Sequence, residues 1–204
     1  MLFFTKKNPE AKFWKWFEKN SPRFQAFEAD RDQLIPLLSE QLSRYKEGLT
    51  FEVGVENEGV RDLVISADGV RDLFYAVHKL TEFSPQIPGW RVVAFRPRMD
   101  DYTRFSCTFD GRSFDPKSIW FHARIENNLF DIIIYHSNYE DTDRNLIASG
   151  TYILLDMALG EYDVVTGIHY IDHQLLPANP ESEGLRPFSD LRKVFDDYKI
   201  SRIL

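Results

Sequence analysis

Five histidines stand at positions 78, 122, 136, 169 and 173, and the segment His169-Tyr170-Ile171-Asp172-His173 has the spacing of a helical metal site. On a helix, residues four apart share a face, and two imidazoles can hold one ion. The local pattern is extended instead. Four strand residues span about 13 Å, so these rings do not chelate, and no metal is expected. Cys107 is the single cysteine, which leaves no disulfide framework and no multi-thiolate metal set. It alternates with Phe105 and Phe109 and reads as a buried, inert thiol. A nucleophile elbow and a glycine-rich phosphate loop are both absent, so no cofactor is expected either.

Carboxylates could serve as an acid–base pair. Glu140, Asp141, Asp143, Asp156 and Asp163 read as loop and helix-cap residues. Glu161 stands apart, because it follows Gly160 at a helix end beside a strand start. Dispersed aromatic, His and Glu residues could still assemble a site for an enzyme or a small-ligand binder. The candidates are Trp120, His122, Tyr135, Glu161 and His169. The preferred reading is a protein-binding or inhibitory, immunity-like module without catalysis, of bacterial type. Its motivating surface is the acidic hairpin face Glu52, Glu56 and Asp62, with Glu58.

The elements that must hold these residues follow from period and punctuation. Asn8-Pro9-Glu10 is a helix start: a capping side chain, a proline where no amide is needed, and an acid on the dipole. Phe13, Trp14 and Phe17 share one arc of that helix, and Lys12, Lys15 and Lys19 another. The lysine face admits a membrane-surface reading, but docking of the aromatic arc on a core is preferred. A second helix is expected over 33–46, with Pro36 in its first turn.

Residues 50–66 then switch to period two. A hairpin closed at Asn57-Glu58-Gly59 pairs Phe51 with Ile65 and Val53 with Leu63. A helix opened by Asp68 follows over 70–82, ended by Pro85, and a strand runs from Trp90 to Arg96. That strand has two apolar faces and reads as the middle of the sheet, with Trp90 as a core-edge anchor. Trp90 together with Arg96 and Arg98 is a lesser functional candidate.

Residues 119–172 repeat the order. A hairpin turned at Asn127-Asn128 pairs Phe121 with Ile134, Ala123 with Ile132 and Ile125 with Phe130 on one face. Trp120 then faces Tyr135, and Arg124 faces Asp131, on the other. His136 falls on the apolar side and reads as a core or edge residue. A helix over 143–159 and a strand from Val164 to Ile171 complete the unit. Between the units a strand pair turns at Asp110-Gly111, and Ser189 is expected to cap a last helix.

The fold class is therefore α+β: a mostly antiparallel, mixed sheet with covering helices, arranged as two hairpin-helix-strand units side by side. The chain is read as one domain over 1–204. N-terminal helices fill 1–48 and the first unit 49–97. A connecting strand and the second unit fill 98–173, and a loop with the C-terminal helix fills 174–204.

With 204 residues, 43% of them apolar and 17 of them Phe, a sizeable core is expected. Net charge is −7, and it is uneven. Residues 1–50 carry nine Lys/Arg against seven Asp/Glu; the remainder carries sixteen against twenty-five. Such a body repels phosphate backbones, so no nucleic-acid partner is expected. No apolar run reaches the length of a membrane span, and the start has no secretory pattern. The chain reads as cytoplasmic, with a protein partner or a homo-oligomer as the open possibilities.

Overall fold

The computed structural model describes residues 8–202. The chain divides into two compact units between Arg96 and Pro97.

The first unit begins with α1, Pro9–Gln25, where the Asn8 side chain accepts from the Ala11 N–H at 3.0 Å. Phe13, Trp14 and Phe17 are buried and the three lysines exposed, so the aromatic arc is core rather than membrane-seeking. In α2, Arg31–Tyr45, Leu34, Leu38 and Leu42 are buried. Pro36 lies in its second turn, not its first, on the exposed side.

Strands β1, Thr50–Val53, and β2, Arg61–Ser66, form the expected hairpin, with Phe51 opposite Ile65 and Val53 opposite Leu63. Its turn places Glu58 at φ 52° and Gly59 at φ 79°, the region that favours glycine. Helix α3, Phe74–Glu82, leads to β3, Trp90–Ala94, which pairs parallel to β2. The helices interlock through Trp14, whose Nε1–H donates to the Leu80 carbonyl at 2.8 Å. Trp90 packs edge-on to Phe17 at 5.1 Å between ring centres, as a core anchor should.

Two expectations fail here. The strand order is β1-β2-β3, so β2 is the middle strand and β3 an edge. The second apolar face of β3 was deceptive because Phe95 lies beyond the strand, at φ 63°, and packs on Phe74 and His78 of α3. Asp68 does not cap α3; it sits at φ 52° and holds Arg96 at 2.8 Å.

In the second unit, β4, Cys107–Phe109, and β5, Arg112–Phe114, form a short ribbon turned at Asp110-Gly111. Cys107 is half-buried, and burial pushes its thiol pKa up; Phe105 and Phe109 are exposed. The hairpin of β6, Ile119–Glu126, and β7, Leu129–His136, has the register read from the sequence at every pair. Asn127 and Asn128 both take positive φ, as a two-residue turn of this hand requires.

Helix α4, Arg144–Leu159, ends at Gly160, whose φ of 83° lets the chain break. The segment expected as strand from Val164 instead forms α5, Glu161–Gly167, and the strand β8 covers Tyr170–Leu175. Val164 and Val165 favour extended backbone, but a buried Val164 and the break at Gly160 settle the segment as helix. Strand β9 has two residues, Arg186–Pro187, and α6, Leu191–Ser201, closes the chain. Ser189 offers no side-chain cap to α6.

The sheet order is β8-β7-β6-β9, with β7 and β8 parallel and the other pairs antiparallel. Both units thus share one topology: a hairpin, a helical crossover, then a strand parallel to the hairpin's second arm. The core of the second unit joins Phe121, Phe130, Ile132 and Ile134 to Leu154 and Leu155 of α4, Val164 of α5 and Phe195 of α6.

Candidate functional site

Strand alternation gives the second sheet two faces. One is the core just described. The other carries Trp120, His122 and Arg124 from β6, Asp131, Ile133 and Tyr135 from β7, and Tyr170, Asp172 and Gln174 from β8. Trp120 lies directly opposite Tyr135, and His122 opposite Ile133. Trp120, Ile133 and Tyr135 are half-buried; His122, Arg124 and Tyr170 are exposed, Tyr170 to 51%. The face therefore mixes apolar rings with polar groups.

Its carboxylates are held in place. Asp131 accepts from His169 Nδ1 at 2.8 Å and from Arg124 at 3.0 Å. Those bonds, His169 first, hold the Asp131 carboxyl below its usual range. Asp172 pairs with Arg144 at 2.6 Å. Burial works against the Asp172 charge, but the bonds from Arg144 and from the His173 backbone outweigh it and lower its pKa. Tyr135 keeps its proton more firmly than usual, through burial first and then the nearby Glu183 and Asp172.

Of the dispersed candidates, Trp120, His122 and Tyr135 come together on this face, with His169 at its β8 end. Glu161 does not join them: it is fully buried at the first residue of α5, where the helix dipole favours an acid. An aspartate-oriented imidazole is a proton-transfer arrangement. The depression found in this unit lies elsewhere, however. It encloses about 430 Å³, open solvent included, and is lined by Arg112, Asp115, Ser118, His136 and Asn138 among others. None of the five candidates borders it.

The acidic surface of the first sheet is largely compensated. Glu52 pairs with Arg96 at 2.7 Å and Asp62 with Arg91 at 2.6 Å. Glu56 accepts from the Gly59 N–H at 3.1 Å and braces the turn. Arg98, the other cation near Trp90 in sequence, is engaged by the Leu159 carbonyl, Asp163 and Asp196.

A buried imidazole pair went unread in the sequence. His136 and His173 meet at 3.3 Å, Nε2 to Nδ1, with Thr151 Oγ1 also 3.3 Å from His136 Nε2. His136 reads as core or edge from the hairpin alone. Its partner emerges only from the parallel register that sets His173 beside Ile134. Among the described residues, no three His, Cys, Asp or Glu side chains converge as a metal set. No helix is long and apolar enough to cross a membrane among those residues.

Comparison with family models, curated proteins and solved structures returned no match, so the geometry alone must carry the functional reading.

Proposed function

We propose that this chain is a protein-binding module of the inhibitory, partner-shielding kind, and that the face of Trp120, Tyr135, Ile133 and His122 is its recognition surface. One observation carries the reading: Trp120 and Tyr135 stand side by side on the sheet face opposite the helix-packed core. Trp, Tyr and Arg are the residue types that anchor protein interfaces. The ion pairs at Asp131 and Asp172 fix the surrounding polar groups before binding, which lowers the ordering cost. With a net charge of −7, the fitting partner is a protein with a basic surface. The acidic hairpin of the first unit is the weaker choice, because Glu52 and Asp62 are already paired.

The test is a quantitative pull-down with the full chain, run beside two variants of confirmed fold. Trp120→Ala should lose a stoichiometric partner that Glu52→Lys retains, and added salt should weaken that capture. A partner lost from Glu52→Lys and kept by Trp120→Ala would move the surface to the first sheet. Absence of any stoichiometric partner would end the reading.

A further inference from the structure

Strand β9 pairs with β6 only at Trp120 and Phe121. It is short because Gly184, at φ 73°, turns the chain away just before it. Beyond Phe121, the stretch Ala123–Glu126 has β7 on one side and, among the described residues, no strand on the other. The direction of its backbone groups can be worked out. The Phe130 carbonyl accepts from the His169 N–H at 2.8 Å, on the β8 side. Antiparallel pairs alternate, so Ile125, which faces Phe130, turns its own N–H and C=O away from β7. Those groups reach the open edge, and the Ile125 side chain is 52% exposed. An unpaired edge of this kind is a template for another strand.

The charges on this edge select the occupant. Arg124 and Glu126 flank Ile125. We propose that the β6 edge pairs antiparallel with the same edge of a second copy, about a two-fold axis at Ile125. In that register Ile125 meets the partner's Ile125 and exchanges two backbone hydrogen bonds with it. Arg124 then faces the partner's Glu126, and Glu126 faces the partner's Arg124. Neighbouring two-fold registers fail on charge: one centred on Arg124 sets arginine against arginine, and one centred on Glu126 sets glutamate against glutamate. The available window, between β9 and the turn at Asn127-Asn128, includes Ile125 and its two charged neighbours. The product is one continuous sheet of two copies, with both Trp120 faces on the same side. It does not depend on that face binding a partner.

The contact is small, so association belongs at high concentration. Sedimentation velocity on the full chain, from about 10 µM to about 1 mM, should show the mass approaching twice 24.0 kDa. Ile125→Pro removes an N–H that has no acceptor among the described residues, and proline is tolerated on a free edge. That variant should stay at single-chain mass. Glu126→Arg, at an exposed position, should shift half-association upward by about tenfold, and Arg124→Glu/Glu126→Arg should restore it. Circular dichroism checks the fold of each; if Ile125→Pro fails that check, Glu126→Arg and its double variant decide. A wild-type chain that stays single at about 1 mM would overturn the proposal. So would association that is unchanged by these variants.

Discussion

His136 and His173 face one another inside the second unit, 3.3 Å apart, with the rings 7% and 4% exposed. Thr151 donates its hydroxyl to the Ile147 carbonyl, so its oxygen can only accept from His136 Nε2. A proton on His136 Nε2 would satisfy that oxygen and reach His173 Nδ1 as well. Burial first, and then the His173 ring and Arg112, depress His136 to about 3; burial first, and then Arg144, depress His173 to about 4 against the opposing charge of Asp172.

The sign of the resulting pH dependence is fixed. An unfolded histidine titrates near 6.5, so between about pH 6.5 and 4 the unfolded chain binds more protons than the folded one. Stability is full above that window and falls as the pH drops through it. Between pH 7 and 5 the loss should be roughly 3 kcal/mol, read from urea midpoints. His136→Gln should flatten this dependence, and an equal slope in that variant would assign it to other groups.

Arg61 is buried, and its guanidinium donates to Glu28 and to the carbonyls of Gly54 and Gln25. Arg61→Ala strands these acceptors and should cost about 3 kcal/mol in urea unfolding. Glu28 is mostly exposed, so Glu28→Gln should cost much less. Equal losses would mean that the ion pair, not the carbonyl clamp, carries the stability.

Gly150 lies in α4 against the ring of Phe114, and a methyl group there would overlap that ring. Alanine would gain about 1 kcal/mol in helix propensity but forces the ring to move. Overpacking of this kind costs about 1–3 kcal/mol, so Gly150→Ala should lower the melting temperature. A rise would show that β5 shifts freely.

Asn128 sits at φ 60° in the β6–β7 turn, and its carbonyl accepts from Tyr198 at 2.9 Å. Asn128→Gly keeps that bond and gives the preferred turn pair, so stability should hold or rise by about 0.5 kcal/mol. Asn128→Val should cost about 1–2 kcal/mol through left-handed strain, checked by thermal melting.

Local and short-range features of the fold were legible in the sequence, and long-range ones were not. Both hairpins could be read because alternation and a turn fix register together, down to Trp120 against Tyr135. Strand order could not, because nothing local in β3 distinguishes an edge from a middle strand. The helix at 161–167 was hidden behind β-branched residues whose burial overrides their propensity. Of the binding face, the β6 and β7 residues were readable. The grip of His169 on Asp131 and the His136–His173 contact both depend on where β8 docks.

That docking also sets an order of assembly. Strands β6 and β7 are joined by two residues and can pair on the microsecond scale of a hairpin. Strand β8 reaches β7 only after residues 137–169 have folded back, which defers its pairing. The two imidazoles therefore meet late. Substitution at His173 should speed unfolding and leave the folding rate nearly unchanged, as expected of a contact made only after the hairpin has closed.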